Sequence, residues 1–195
     1  KAATKGYLNY WANKAIQARV YLFMDDFTAS LTAAEEIINS GKYSLYSNTD
    51  WVGSWATQFG SESIFELAIF PSEADLTTGS LGYYLLRNGK VTGAMGWFMA
   101  SDYWIARMNE DPTDIRWGIM ERDESSTSRK GSSLKYVGGS ALTGDKSSRS
   151  AVNVKVIRLS EIYLIAAEAA LRLPTPDRVK ASGYLNQIRK RAPGL

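Results

Sequence analysis

The sequence predicts a mainly α-helical fold, with helical hairpins at both ends of the chain and an irregular, aromatic-bearing middle that carries minor short strands. Three observations lead there. Apolar residues recur at helical spacing in four segments, near residues 5–24, 25–41, 156–173 and 178–191. Strand-like alternation is confined to two short runs, 63–70 and 151–156. Between those runs, tryptophan and tyrosine concentrate in a stretch punctuated by glycine and serine.

The elements follow in order. KGYLNYWANKAIQARVYLFM, residues 5–24, sets Leu8, Trp11, Ala12, Ala15, Ala18, Tyr21 and Leu22 on one wide apolar face. The next helix lies in DDFTASLTAAEEIINSG, where an acidic start suits the positive end of the helix dipole. Its stripe runs through Phe27, Leu31, Ala34 and Ile38, and Gly41 supplies a left-handed stop. Joined by a tight turn, the two make a helical hairpin. SIFELAIF, residues 63–70, alternates as a strand with Phe65, Leu67 and Ile69 on one face, ahead of a turn at Pro71. From there to about Ser150 the chain reads as mostly loop, and ESSTSRKGSS and GGSALTGDKSSRS read as exposed. AVNVKV, residues 151–156, alternates Val152, Val154 and Val156 against Asn153 and Lys155 and leads into the third helix.

That helix, VIRLSEIYLIAAEAALRL, leaves little room for water. At 100° per residue Arg158, Glu161, Ile165, Glu168 and Arg172 share a narrow sector, and apolar residues cover nearly all the rest. It therefore requires neighbours on several sides. Its alanines permit close approach, and the helix at 178–191, with Ala181, Tyr184, Leu185 and Ile188 at helical spacing, is the economical partner. Stacked hairpins of this kind are the tetratricopeptide arrangement. The first hairpin follows that repeat's spacing in part, through Ala18, Tyr21, Phe27, Ser30 and Ala34, with Asp25 standing where glycine is usual.

Composition removes whole classes of mechanism. With 45% hydrophobic and 22% charged residues the chain has material for a sizeable core. Its 23 basic and 20 acidic residues give a net charge of only +3, spread along the chain, which argues against a nucleic-acid partner. There is no cysteine and no histidine, hence no thiol nucleophile, no Cys/His zinc site and no histidine base. No cofactor is implied. No apolar run has bilayer length, and Lys1 opens without a signal peptide, so either the protein is cytosolic or a targeting segment lies outside this sequence.

Taken in order and spacing, ARVYLFMDDFTASLTAAEEIINSGKYSL, ESIFELAIF, DPTDIRWGIM, VIRLSEIYLIAAEAALR and YLNQIRKRA resemble the SusD/RagB family of outer-membrane glycan-capture lipoproteins. The most specific pieces are Arg158-Leu-Ser-Glu161 with Ala167-Glu168-Ala169, and Tyr184-Leu-Asn186 with Arg189-Lys-Arg191. RAPGL departs from the RAGLP expected at the end. The resemblance implies a single SusD-like portion of a longer protein: a helical hairpin at 1–45, a loop-rich segment with short strands at 46–150, and a strand with a helical hairpin at 151–195. It also implies non-catalytic capture of oligosaccharide and delivery to a SusC-like TonB-dependent transporter. The whole protein would sit at the cell surface, anchored to the outer membrane by lipid.

A sugar ring presents an apolar C–H face, so exposed aromatic side chains form its platform while polar neighbours fix its hydroxyls. The glycan-binding candidates are Trp97, Tyr103, Trp104, Tyr83 and Tyr84, in a cluster that extends through Phe98 to Trp117. Trp51 and Trp55 are weaker candidates, and Trp11 reads as core. The bland alternative is that these rings pin a long loop, which would leave a tetratricopeptide-type protein-interaction module without a sugar site. A hydrolase is more distant. Glu161 and Glu168 lie about 10 Å apart along one helix face, near the upper end of the roughly 6.5–9.5 Å that separates the carboxylates of an inverting glycosidase, but Arg158, Arg172 or Arg189 can absorb them as ion pairs. Asn109, Glu110, Asp111 and Asp114 match no calcium loop. Asp114-x-Arg116 matches the family pattern and reads as structural. RNGK, residues 87–90, reads as a turn and lacks the spacing of a phosphate loop.

Overall fold

A computed structural model describes residues 6–69, 81–85, 95–126, 128–136 and 153–194. In chain order the elements are α1 (Tyr10–Phe23), α2 (Phe27–Asn39), α3 (Asn48–Trp51), β1 (Ser63–Leu67), α4 (Leu81–Leu85), α5 (Asp102–Met108), β2 (Val154–Arg158), α6 (Leu159–Leu171) and α7 (Arg178–Arg189). Two 3-10 turns, Gly53–Ala56 and Ile115–Ile119, complete them. The predicted turn at 87–90, the stretch 138–150, Phe70, Pro71 and Val152 lie outside the described residues. Among the described residues the fold is mainly α with one small two-stranded sheet, as the sequence predicts.

The chain divides into two compact units. The helical unit takes Lys1–Tyr46, Phe59–Leu67 and Val154–Lys190, and the second takes Ser47–Gln58, Ala68–Asn153 and Arg191–Leu195.

In the helical unit α1 and α2 form one hairpin, α6 and α7 another, and α2 packs on α6. The first turn works because Asp25 adopts φ +59°, the left-handed conformation for which glycine is usual and which aspartate tolerates better than most residues. There the amides of Asp25 and Asp26 donate back to the carbonyls of Leu22 and Tyr21, the paired bonds of a Schellman motif. Asp26 then caps α2 by accepting from the Ala29 amide. Gly41, at φ +64°, ends it. Alanine fills the seams: Ala12, Ala15, Ala18, Ala34, Ala166, Ala169 and Ala170 are all fully buried, alongside Ile37 and Ile162. A seam that close leaves room for one polar tie, in which the buried Ser30 hydroxyl donates to the Ala18 carbonyl at 2.8 Å.

Several boundaries and faces differ from the sequence reading. Helix α1 starts at Tyr10 because Asn9 caps it, accepting from the Ala12 amide, so residues 6–9 are not helical and Leu8 is exposed. Val156–Arg158 is strand, and the third helix begins only at Leu159. Strand β1 hides the opposite face from the one predicted: Ile64 and Glu66 are buried, Phe65 is half-buried and Leu67 is exposed. The reason is ionic. Glu66 accepts from the Ser63 hydroxyl and, at 2.9 Å, from the Phe59 amide, and Lys155 on β2 closes on it at 3.3 Å. Alternation counts apolar residues and has no means of scoring a carboxylate whose partner sits on another strand. The pairing is antiparallel, from Ser63 opposite Arg158 to Leu67 opposite Val154, with register shifts on either side of Phe65.

Burial pushes the Lys155 ammonium below its usual pKa, and Glu66 opposes that shift. Removing one member of such a pair strands the other, whereas replacing both with apolar groups is often neutral. Lys155→Met should therefore cost about 3–5 kcal/mol, and adding Glu66→Leu should recover most of it, measured by urea unfolding. Because the folded state sheds the Lys155 proton before the unfolded state does, the contribution of Lys155 to stability rises with pH as it climbs toward 10.5. That rise should be missing from the Lys155→Met titration.

Candidate glycan-binding surface

The candidate surface lies in the second unit and begins with a helix too short to satisfy itself. The five-residue α4 leaves carbonyls unpaired at its C-terminal end. Backbone amides from a later segment take them: Met95 donates to the Tyr83 carbonyl at 2.7 Å, and Trp97 and Phe98 both donate to the Tyr84 carbonyl, at 2.8 and 3.2 Å. Gly96, at φ +59°, supplies the left-handed residue inside this crossing. Arg129 donates from Nη1 to the Gly96 carbonyl at 3.3 Å.

Ring contacts follow from that stitching. Tyr84 meets Tyr83 edge to face at 5.1 Å, Trp97 at 5.6 Å with a 49° tilt, and Phe98 at 6.3 Å. Tyr83 and Tyr84 are half-buried, while Trp97 remains 60% exposed. Trp97 thus touches Tyr84 and keeps most of its surface open, and an open aromatic ring is what the apolar face of a sugar stacks on.

Tyr103 and Trp104 are on α5, and among the described residues no ring contact joins them to the Tyr84 cluster. Ser101 caps that helix by accepting from the Trp104 amide at 3.2 Å. The Arg107 guanidinium lies 5.7 Å from the Tyr103 ring centre. Both aromatic side chains are exposed, Tyr103 more than Trp104. The structure thus brings four rings together, one of them the Phe98 of the wider cluster, and places two candidates on a neighbouring stretch of chain.

Other aromatic residues turn out to be core. Trp51 and Trp55 are buried edge to face at 6.0 Å, with Arg191 stacked at 4.9 Å on the first and Lys135 at 4.4 Å on the second. Neither can serve as an open platform. Trp117 is 7% exposed, packs with Ile105, Met108 and Met120, and donates from Nε1 to the Met108 carbonyl at 3.2 Å. The stretch ESSTSRKGSS is less exposed than predicted, since Gly131 and Ser132 are buried. Gly131 has φ +82°, and a Cβ there would lie 2.9 Å from the Ala100 carbonyl oxygen. Through that close approach Ala100 donates its amide to the Gly131 carbonyl at 2.9 Å, fixing the segment that leads into α5.

The acidic candidates are absorbed locally. Asp114 caps the 3-10 turn by accepting from the Arg116 amide at 2.8 Å and pairs with the Arg116 guanidinium, so Asp-x-Arg is a structural unit. Asp111 accepts from the Thr113 hydroxyl and amide and from the Gly194 amide, donors that hold its carboxyl below the usual range. Glu110 pairs with Arg107. In the helical unit Arg172 pairs with Glu168, as expected, whereas Glu161 is gripped at 2.7 and 2.8 Å by Arg19 on α1, a partner beyond the reach of local spacing. No described helix is long and apolar enough to cross a membrane.

Comparison with known proteins agrees with this architecture. Residues 108–193 match the model of the SusD family. A solved SusD superfamily protein from Bacteroides thetaiotaomicron is 35% identical, with a TM-score of 0.79 over 97% of this chain and 42% of its own. Another, from Bacteroides vulgatus, is 31% identical, with a TM-score of 0.75 over 100% of this chain and 43% of its own. Surface glycan-binding protein A from Bacteroides thetaiotaomicron, solved in complex with laminarihexaose, shares the fold at 19% identity and a TM-score of 0.73, over 98% of this chain and 49% of its own. The chain therefore spans less than half the length of these structures. No curated protein matches it.

Exposure separates the tryptophans in a measurable way. Trp97→Ala should change stability by less than about 0.5 kcal/mol, as surface substitutions do. Trp117→Ala, which empties a core position, should cost about 3–5 kcal/mol. Paired urea titrations followed by circular dichroism would check both.

Proposed function

We propose that this chain, which belongs to the SusD family, captures glycan without catalysis by stacking sugar rings on the exposed aromatic surface built around Trp97. The observation that carries the reading is the pre-organised ring. Trp97 is fixed through its own amide and through Tyr84, yet keeps most of its surface open. Binding to such a platform loses little backbone entropy, because the segment that carries the ring is tied down by its own amides. Tyr103 and Trp104 extend the stacking area along α5, and Asp102 and Arg107 offer groups that hydrogen-bond sugar hydroxyls.

The non-catalytic part of the proposal rests on the carboxylates. Glu161 and Glu168 are each engaged by an arginine, Arg19 and Arg172, which is the arrangement of structural ion pairs. Laminarihexaose in the glycan-binding relative supports an oligosaccharide as the ligand class. Delivery to a SusC-like TonB-dependent transporter, at a cell surface to which the whole protein is held by lipid, completes the proposal. The exposed apolar side chains Phe23, Met24 and Val179 of the helical unit suit contact with a protein partner.

Affinity electrophoresis through gels containing starch, laminarin, xylan or pectin tests capture directly. The expected result is retardation by at least one glycan, reduced about five- to 150-fold in Trp97→Ala, since one stacked ring is worth roughly 1–3 kcal/mol by analogy with base stacking on aromatic side chains. Unchanged retardation in the variant would move the site elsewhere, and no retardation across the panel would favour the protein-interaction module.

A further inference from the structure

We propose that Arg129 makes this surface selective for acidic glycans, those carrying a carboxylate or sulfate group on the unit that stacks on Trp97. The inference rests on the capture reading and adds the ligand's charge to it.

Most cations near the aromatic surface are already answered. Arg107 pairs with Glu110, Lys130 lies 3.6 Å from Asp102, and Arg116 is held by Asp114. Arg129 differs. Its bond is to a neutral acceptor, the Gly96 carbonyl, and no carboxylate among the described residues stands within ion-pair distance of it. The side chain is half-buried, so its charge is less screened than that of a free surface arginine. A guanidinium has five N–H donors in a planar fork, and one bond from Nη1 leaves the others available. Carboxylate and sulfate oxygens match that fork, and such charge-assisted pairs are the strong ones.

Position ties the charge to the platform. The carbonyl that holds Arg129 belongs to the residue immediately before Trp97, and the tryptophan's amide is fixed to Tyr84. Guanidinium and indole are thus anchored to adjacent residues of one ordered segment. A neutral sugar would use the ring and leave the charge idle. A sugar with an anionic substituent would use both.

Affinity gels containing polygalacturonate (carboxylate), carrageenan (sulfate), or the neutral glucans laminarin and starch would test this with the wild-type chain, Arg129→Gln, Arg129→Lys and Trp97→Ala. The expected result is retention by one of the acidic polymers, weakening as salt rises. Arg129→Gln should lose about ten- to a hundredfold of that affinity, Arg129→Lys should keep part of it, and weak neutral binding should stay within about twofold. Which acidic polymer is retained identifies the anion. Equal losses on acidic and neutral polymers in Arg129→Gln would assign Arg129 a merely structural role and overturn the inference. So would a wild-type chain retained by neutral glucans alone, although capture at Trp97 would then stand. No retention by any polymer would overturn capture and selectivity together. Thermal melts of each variant separate lost binding from lost folding.

Discussion

The chain leaves the helical unit after Leu67 and re-enters it at Val154, and those two residues face each other across the β1–β2 ladder. That pairing is the constraint on which the rest depends. Closing so long an excursion carries an entropic cost that grows only slowly with length, so two short strands suffice where their ends are firmly held. They are held by burial of Ile64 and Ile157, and by Glu66 with Lys155, a charge pair hidden from water between the strands. Because an unpaired buried charge is severely penalised, the pair also disfavours any slip that would separate its members.

Around the ladder the helical unit uses small side chains to bring large elements close. Alanine on α1, α2 and α6 lets the helices meet at short range, and isoleucines fill what remains. Arg19 extends the order from α1, gripping Glu161 on α6 and donating to the Val156 carbonyl on β2. The second unit follows another logic. Its helices are short, and its organisation comes from carbonyls and amides that regular structure leaves over: the end of α4 taken by residues 95–98, Ala100 bound to Gly131, and the Ile115 amide donated to the Arg191 carbonyl. Irregular backbone of this kind holds its side chains where regular elements would not present them, which is why binding surfaces often occupy it.

How far the sequence could be read follows from the range of the forces involved. The four long helices were legible because amphipathic spacing and caps act within a few residues, and even Asp25 marked its turn by standing where glycine is usual. The buried face of β1 was not, because Glu66 depends on Lys155, 89 residues away. Composition was enough to nominate the candidate rings, which lie in one stretch of sequence. Which rings would be open was not legible: Trp51, Trp55 and Trp117 carry the same side chain as Trp97, and only the core of the second unit separates them. Arg129 stayed hidden for a related reason, as one charge in a Ser/Gly-rich run whose significance comes from reaching Gly96.

On the proposed reading the helical unit serves as scaffold while the second unit's aromatic surface takes the ligand. Amide hydrogen exchange, compared with and without a retained oligosaccharide, tests it most directly. Slower exchange at residues 81–85 and 95–108, with 159–171 equally protected in both states, is the predicted result. Protection that appeared instead along α6 and α7, with residues 95–108 unchanged, would contradict the claim and return these aromatic residues to a structural role.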